Sequence, residues 1–276
     1  MHEERKIMMT RSLVENIDSI PPLPESIQAL ERVYNDPAST FEDFTKIIEK
    51  DPILAADVLK LVNSPLFGLS RKINDITHAV SLLGKDAIRT CAFGSVIENN
   101  FIIDLSPYGM SKEDFVKACN LQLSLAIHWV GPIDRNILSI LAPSAFMVDL
   151  GRVVIAKTLI EEDKVGIIEM ALISGEDISQ AELTACGAYS SEVTAELFKK
   201  WNFDPKTITI IRNVEDPHAI KGEERTITAY LKSIREAILP NGDITDESLL
   251  NAKGTIGEFG LDEKAFDQAI KKIQNA

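Results

Sequence analysis

Apolar side chains recur at three- and four-residue intervals along nearly the whole sequence, and that spacing restricts the chain to helical folds. Between Pro24 and Asn35, Ile27, Leu30 and Val33 fall three apart. Phe41, Phe44, Ile47 and Ile48 mark a second helix. Thr40 with Asp43 three residues on signals its start, a capping box with Asp in place of Glu. Asp51-Pro52 opens a third: Asp51 can accept from free first-turn amides, and Pro52 at the first helical position loses no hydrogen bond. Leu54, Val58, Leu61 and Val62 form its apolar face, and Asn63-Ser64-Pro65 ends it, because Pro65 turns Ser64 away from the helical region. Ile76, Ala79, Val80 and Leu83 make a fourth stripe, stopped by Gly84. A fifth helix follows, with Ile88, Cys91 and Ala92 inward.

The second half keeps the same period. Ser111 and Asp114 resemble a capping box ahead of a long apolar helix that Gly131-Pro132 breaks. Ile137, Ile140, Leu141, Ser144, Ala145 and Val148 continue the pattern, with Pro143 inside it. Val193-Leu197-Trp201, Ile208-Ile211-Val214, Ile227-Leu231-Ile234-Ile238 and Phe266-Ile270-Ile273 mark later helices. Val153-Val154-Ile155 runs into AKTLIEED and reads as helix. The expectation is an all-α, multi-helix bundle. Pro107 and Gly109 make 104–109 a connection. The chain therefore divides into an extension over 1–16, a helical part over 17–104, a second over 110–240 and a helical tail over 241–276.

The charge balance narrows the function. The 276 residues hold 29 Lys and Arg against 42 Asp and Glu, a net charge of −13. That excess opposes sequence-independent binding to nucleic acid, which needs a cationic face, and docking on anionic lipid. No uninterrupted apolar run reaches the roughly 18–20 residues of a membrane helix, and the opening MHEERKIMMTR lacks the apolar segment of a secretory leader. Cys91, Cys119 and Cys186 are odd in number and far apart, which fits buried thiols in a reducing cytoplasm. No phosphate-binding loop, dinucleotide fingerprint, HExxH or GxSxG is present. His2, His78, His128 and His218 are scattered: His128 reads as a core histidine, and His78 and His218 as solvated.

Three separated blocks carry a family resemblance. They are Ile20-Pro21-Pro22-Leu23-Pro24, DPILAADVLKLVNSPLFGL at 51–69, and INDITHAVSLLGKDAIR at 73–89. In this order they resemble the HDOD family, regulatory relatives of HD-type metal-dependent phosphohydrolases. The resemblance covers about residues 17–217 and implies an N-terminal helical subdomain packed on a degenerate HD-like one. Its signature positions here are Asp51, Pro52, Asn63, Ser64, Gly68 and Gly84, all of which read as helix starts and turn formers.

The resemblance also locates a lost metal site. An HD site holds its metal with histidines and aspartates from several helices, because the ion must lower the pKa of bound water and clamp phosphate oxygens. The matching positions in this chain are Leu123, Val148, Asp149, Ser190, Val214 and Glu215. Only Asp149 keeps its family identity; Leu123 and Val148 cannot ligate a cation. No metal, cofactor or catalytic residue is therefore expected, and no enzyme. Asp149 either caps the following helix, pairs with Arg152 or lines a residual ligand pocket, and Arg152 is the only cation close to it in sequence. Leu66, Phe67 and Leu69 are either core filling or a docking patch for a partner. The leading expectation is a non-catalytic signalling module that engages a regulatory protein partner. The alternatives are a nucleotide-like small-molecule sensor in the vestigial pocket, and a residual phosphohydrolase.

Overall fold

Among the residues described, every regular element is helical. The computed structural model describes residues 8–64, 67, 69, 71–100 and 102–275, without side chains at 97–100. Leu66 and Gly68 lie outside the described residues. The helices are α1 (Arg11–Ser19), α2 (Glu25–Tyr34), α3 (Phe41–Glu49), α4 (Pro52–Val62), α5 (Ile76–Asn100), α6 (Lys112–Val130), α7 (Arg135–Met147) and α8 (Gly151–Glu161). They continue with α9 (Gly166–Ser174), α10 (Ile178–Cys186), α11 (Ser190–Lys200), α12 (Pro205–Arg212), α13 (Gly222–Ala237), α14 (Asp246–Phe259) and α15 (Glu263–Gln274).

These helices form two compact units that interleave along the chain, instead of following one another as the connection at 104–109 suggests. The smaller unit takes Leu23–Ile102, Leu123–Phe146 and the described residues from Lys264. The larger takes the described residues up to Pro22, then Ile103–Gln122 and Met147–Glu263.

In the smaller unit, α5 packs on α3 and α4, burying Phe44, Ile48, Val58, Val62, Ile88 and Phe93. Trp129 of α6 meets Phe266 of α15 edge-on, with ring centroids 5.0 Å apart. The helix starts are chemically marked. Thr40 and Asp43 form a reciprocal capping box, and Asp51 Oδ1 accepts from the Leu54 amide at 3.1 Å, with Pro52 in the first turn. Gly84, at φ +83°, breaks the run Ile76–Asn100 into two helices where the sequence places a stop. Asp51→Ala removes a cap and should cost about 1 kcal/mol of stability in urea unfolding; no change would show that the first turn of α4 is satisfied without it.

The larger unit is built on α8, which packs on α1 and α11, and on α13, which packs on α12 and α14. Ile155, Leu159, Leu197, Phe198, Ile211 and Leu231 are buried there. Among the bonds that tie in the N-terminal segment are Thr10 N to the Cys186 carbonyl (3.0 Å), Lys200 Nζ to the Ile17 carbonyl (3.1 Å) and Trp201 Nε1 to the Pro21 carbonyl (3.1 Å).

The thiols and histidines add detail. All three cysteines are buried, and burial pushes the Cys186 thiol up to about 12. His128 is only half-buried, which corrects its reading as a core residue: it lies one position off the inward face that Trp129 occupies. Burial, then nearby Lys272, lowers its pKa. His78 is exposed. His218 is not simply solvated, because Nε2 lies 2.7 Å from Glu258 and the ring rests on Phe259. One stretch, Arg135–Glu161, is long and apolar enough to cross a membrane by composition, although polar residues such as Asp149 and Arg152 interrupt it; 78% of its most apolar window is buried by the protein itself.

Candidate functional site

The site begins with a glycine. Gly151 opens α8 so close to the start of α11 that a Cβ there would lie 2.0 Å from the Ser190 carbonyl oxygen. Thr194 fastens the contact. Its hydroxyl accepts from the Gly151 amide at 2.8 Å and lies 2.8 Å from the Val148 carbonyl and 3.0 Å from that of Ser190. The turn at 148–150 is thus held against α11, and Asp149 faces inward beside Ser190.

Asp149 is buried, 3% exposed, and is surrounded by two cations and an amide donor. Oδ1 forms an ion pair with Arg152 Nη1 at 3.0 Å and accepts from Arg235 Nε at 2.8 Å. Oδ2 accepts from Gln122 Nε2 at 2.8 Å. Burial alone would push this carboxyl up, but Arg152, then Arg235 and Gln122, hold it down at about 2. Asp149 therefore pairs rather than caps: α8 has no side-chain cap, and Thr194 receives its first amide.

The two arginines extend the network. Arg152 Nε donates to Glu182 at 3.2 Å, and Glu182 also accepts from the Tyr108 hydroxyl (3.1 Å) and the Ser190 amide (2.8 Å). Arg235 donates to Glu215 and, at 3.0 Å, to the Ser190 hydroxyl. Burial works against a charged Arg235, but Glu215, Asp149 and Glu182 keep it protonated. Beside it, a cleft of about 290 Å³ is lined by Tyr189, Val214, Glu215, Lys232 and Glu236, with both arginines at its inner wall.

A metal does not fit this arrangement. The inward oxygens of Asp149, Glu215 and Ser190 are already engaged by Arg235, and a divalent ion among them would sit against two guanidinium groups. Among the described residues, no three His, Cys, Asp or Glu side chains are placed to hold a metal ion.

Of the residues singled out from the sequence, Asp149, Arg152, Ser190 and Glu215 meet in this network. Val148 is buried behind it and Val214 lines the cleft. Leu123 is buried in the other unit, and it is the preceding residue, Gln122, that reaches Asp149. Asp51, Pro52, Asn63, Ser64, Phe67, Leu69 and Gly84 also belong to the smaller unit. Arg152 is not the only cation at Asp149, since Arg235 comes from 86 residues further on. Sequence reading missed Arg235, Glu182, Gln122 and Tyr108. Two left a signal: Arg235 falls four residues after Leu231 in an inward row, and Glu182 precedes buried Ala185 and Cys186 at helical spacing, both unusual places for a charge.

The HDOD domain profile matches residues 20–217 of this chain. The chain belongs to the HDOD family. Solved structures share the fold of this HDOD protein. An HDOD domain protein of unknown function from Geobacter sulfurreducens superposes with a TM-score of 0.67 at 20% identity, covering 96% of this chain and 95% of that one. A protein from Shewanella amazonensis SB2B, provisionally named a phosphohydrolase, gives the same score, identity and coverage. A virulence factor from Campylobacter jejuni subsp. jejuni gives 0.58 at 25% identity, covering 93% of this chain and 92% of that one. An uncharacterized protein of Treponema pallidum (strain Nichols) is 36% identical over 76 residues, 28% of this HDOD chain; the match spans only 15% of that relative's length.

Proposed function

We propose that this HDOD protein is a non-catalytic regulatory module that works in the cytoplasm by binding a protein partner. One observation carries the reading. At the positions that the resemblance matches to the family's metal site, the charges pair with one another: Arg235 and Arg152 supply the positive charge, and Asp149, Glu215 and Glu182 bind to them. A phosphohydrolase of the HD type needs a metal-bound water with a lowered pKa, and the carboxylates here are already engaged by the two arginines. What remains is a buried cluster of paired charges that supports a surface.

The test is direct. Added Mn²⁺ should leave the melting temperature of the purified protein unchanged, and p-nitrophenyl phosphate should not be hydrolysed in its presence. Stoichiometric bound metal, with turnover that disappears in Asp149→Ala, would overturn the reading. A second reading is favoured by the polar cleft at Arg235, whose size lies at the lower end for small-ligand sites. A nucleotide that raised the melting temperature in proportion to its concentration, an effect lost in Lys232→Ala, would put sensing ahead of partner docking.

A further inference from the structure

We propose that the groove beside the C-terminal end of α4 docks a short acidic segment of a partner protein, one that carries apolar side chains between its carboxylates. The groove encloses about 750 Å³ in the smaller unit. Leu59, Leu69 and Ile73 give it an apolar floor, and Lys60, Arg71 and Lys72 stand exposed along its rim.

Charge is the first argument. The chain carries a net −13, and several of its surface cations take carboxylates: Lys46 with Glu42, Lys117 with Asp243, Lys206 with Glu223 and Lys253 with Glu263. Among the described residues, no carboxylate pairs with Lys60, Arg71 or Lys72. Three unneutralised cations around one groove, on a protein with acid to spare, make a local field complementary to an anionic partner.

Preorganisation is the second. The Asn63 side chain clamps the groove's two walls. Its Nδ2 donates to the Leu59 and Ile73 carbonyls at 2.7 Å each, and its Oδ1 accepts from the Ile73 amide at 2.8 Å. The segment with Arg71 and Lys72 is thereby fixed to the end of α4, so binding need not order it first.

The floor and rim together select the occupant. Apolar contact with Leu59, Leu69 and Ile73 supplies affinity, while exposed rim cations supply orientation and a salt-dependent encounter rate. A small ligand is usually buried over most of its surface, whereas here the cations stand in solvent, which suits a segment laid across the groove. A nucleic acid carries charge along its whole length and would meet the acidic remainder of the surface. A short peptide meets only the groove.

This inference rests on the reading that the protein acts by docking a partner, and its test is independent of the metal assay. A random-peptide phage library is selected on the wild-type protein and counter-selected on the Lys60→Glu/Arg71→Glu/Lys72→Glu variant. All three positions are exposed, so the variant should melt as the wild type does. Enriched peptides should carry Asp or Glu flanking Leu, Ile or Phe. As synthetic peptides they should bind at least tenfold more weakly to the triple variant and to Leu69→Ser, and equally well to Lys50→Glu/Lys271→Glu. Peptides without acidic bias, or binding that survives the triple reversal, would overturn the proposal while leaving the non-catalytic reading intact. Loss of binding in the Lys50→Glu/Lys271→Glu control would overturn it too, because the contact would then be general charge attraction.

Discussion

Arg235→Met should lower the stability of this protein by about 3–5 kcal/mol, far more than the side chain's volume accounts for. Methionine fills similar space, so the loss is one of charge: Asp149 and Glu215 each lose a cation, and Asp149 lies 3% exposed. The pH dependence carries a definite sign. In the wild type the Asp149 carboxyl is held at about 2, below its ordinary 3.8. Its contribution, about 2 kcal/mol, is therefore present above pH 4 and fades as the pH falls from about 4 to about 2. In the variant burial gains on the remaining partners, the carboxyl titrates higher, and protonation relieves the defect. The gap between the two proteins should be widest at neutral pH and narrow in acid. Urea unfolding across that range measures it. A cost under about 1 kcal/mol at pH 7, or a gap that widens in acid, would show that the pair contributes little. Adding Asp149→Asn to Arg235→Met should restore part of the loss, since each partner's penalty depends on the other's presence.

Gly151→Ala should be nearly as damaging, by overpacking rather than by charge. The added methyl would meet the Ser190 carbonyl oxygen at 2.0 Å and Val193 Cβ at 2.9 Å, and neither can swing away as the end of a flexible side chain would. The helices α8 and α11 would have to part, breaking the Thr194 bonds and shifting Asp149 away from Ser190. A cost of about 3 kcal/mol or more is expected, with the melting temperature falling accordingly. Gly254 supplies the contrast. It lies within α14 with open space where a Cβ would stand, so Gly254→Ala should stabilise by up to about 1 kcal/mol. Equal effects at the two glycines would refute the packing argument.

The fold was legible because its signals are local. Thr40 with Asp43, Asp51-Pro52 and Gly84 each govern a few neighbouring backbone groups, and the structure shows those caps and that stop in place. The candidate site was half legible. Val148, Asp149 and Ser190 could be placed by their surrounding motifs, because the turn at 148–150 and the start of α11 are compact in sequence. Arg235 lies 86 residues from Asp149 and Glu182 lies 30 from Arg152. No local rule joins them, since a buried ion pair is fixed by how helices pack. The interleaved units escaped for the same reason: 104–109 does form a connection, but helices before and after it share cores.

The ties made by the N-terminal segment carry a consequence for synthesis. Ile17 is anchored by a side chain 183 residues later, and Pro21 by one 180 residues later. When α1 leaves the ribosome, none of its docking sites has been made. It must remain without its partners until α8 and α11 emerge, so a ribosome stalled midway would leave uncovered Leu13 and Ile17, the apolar face that the finished protein buries.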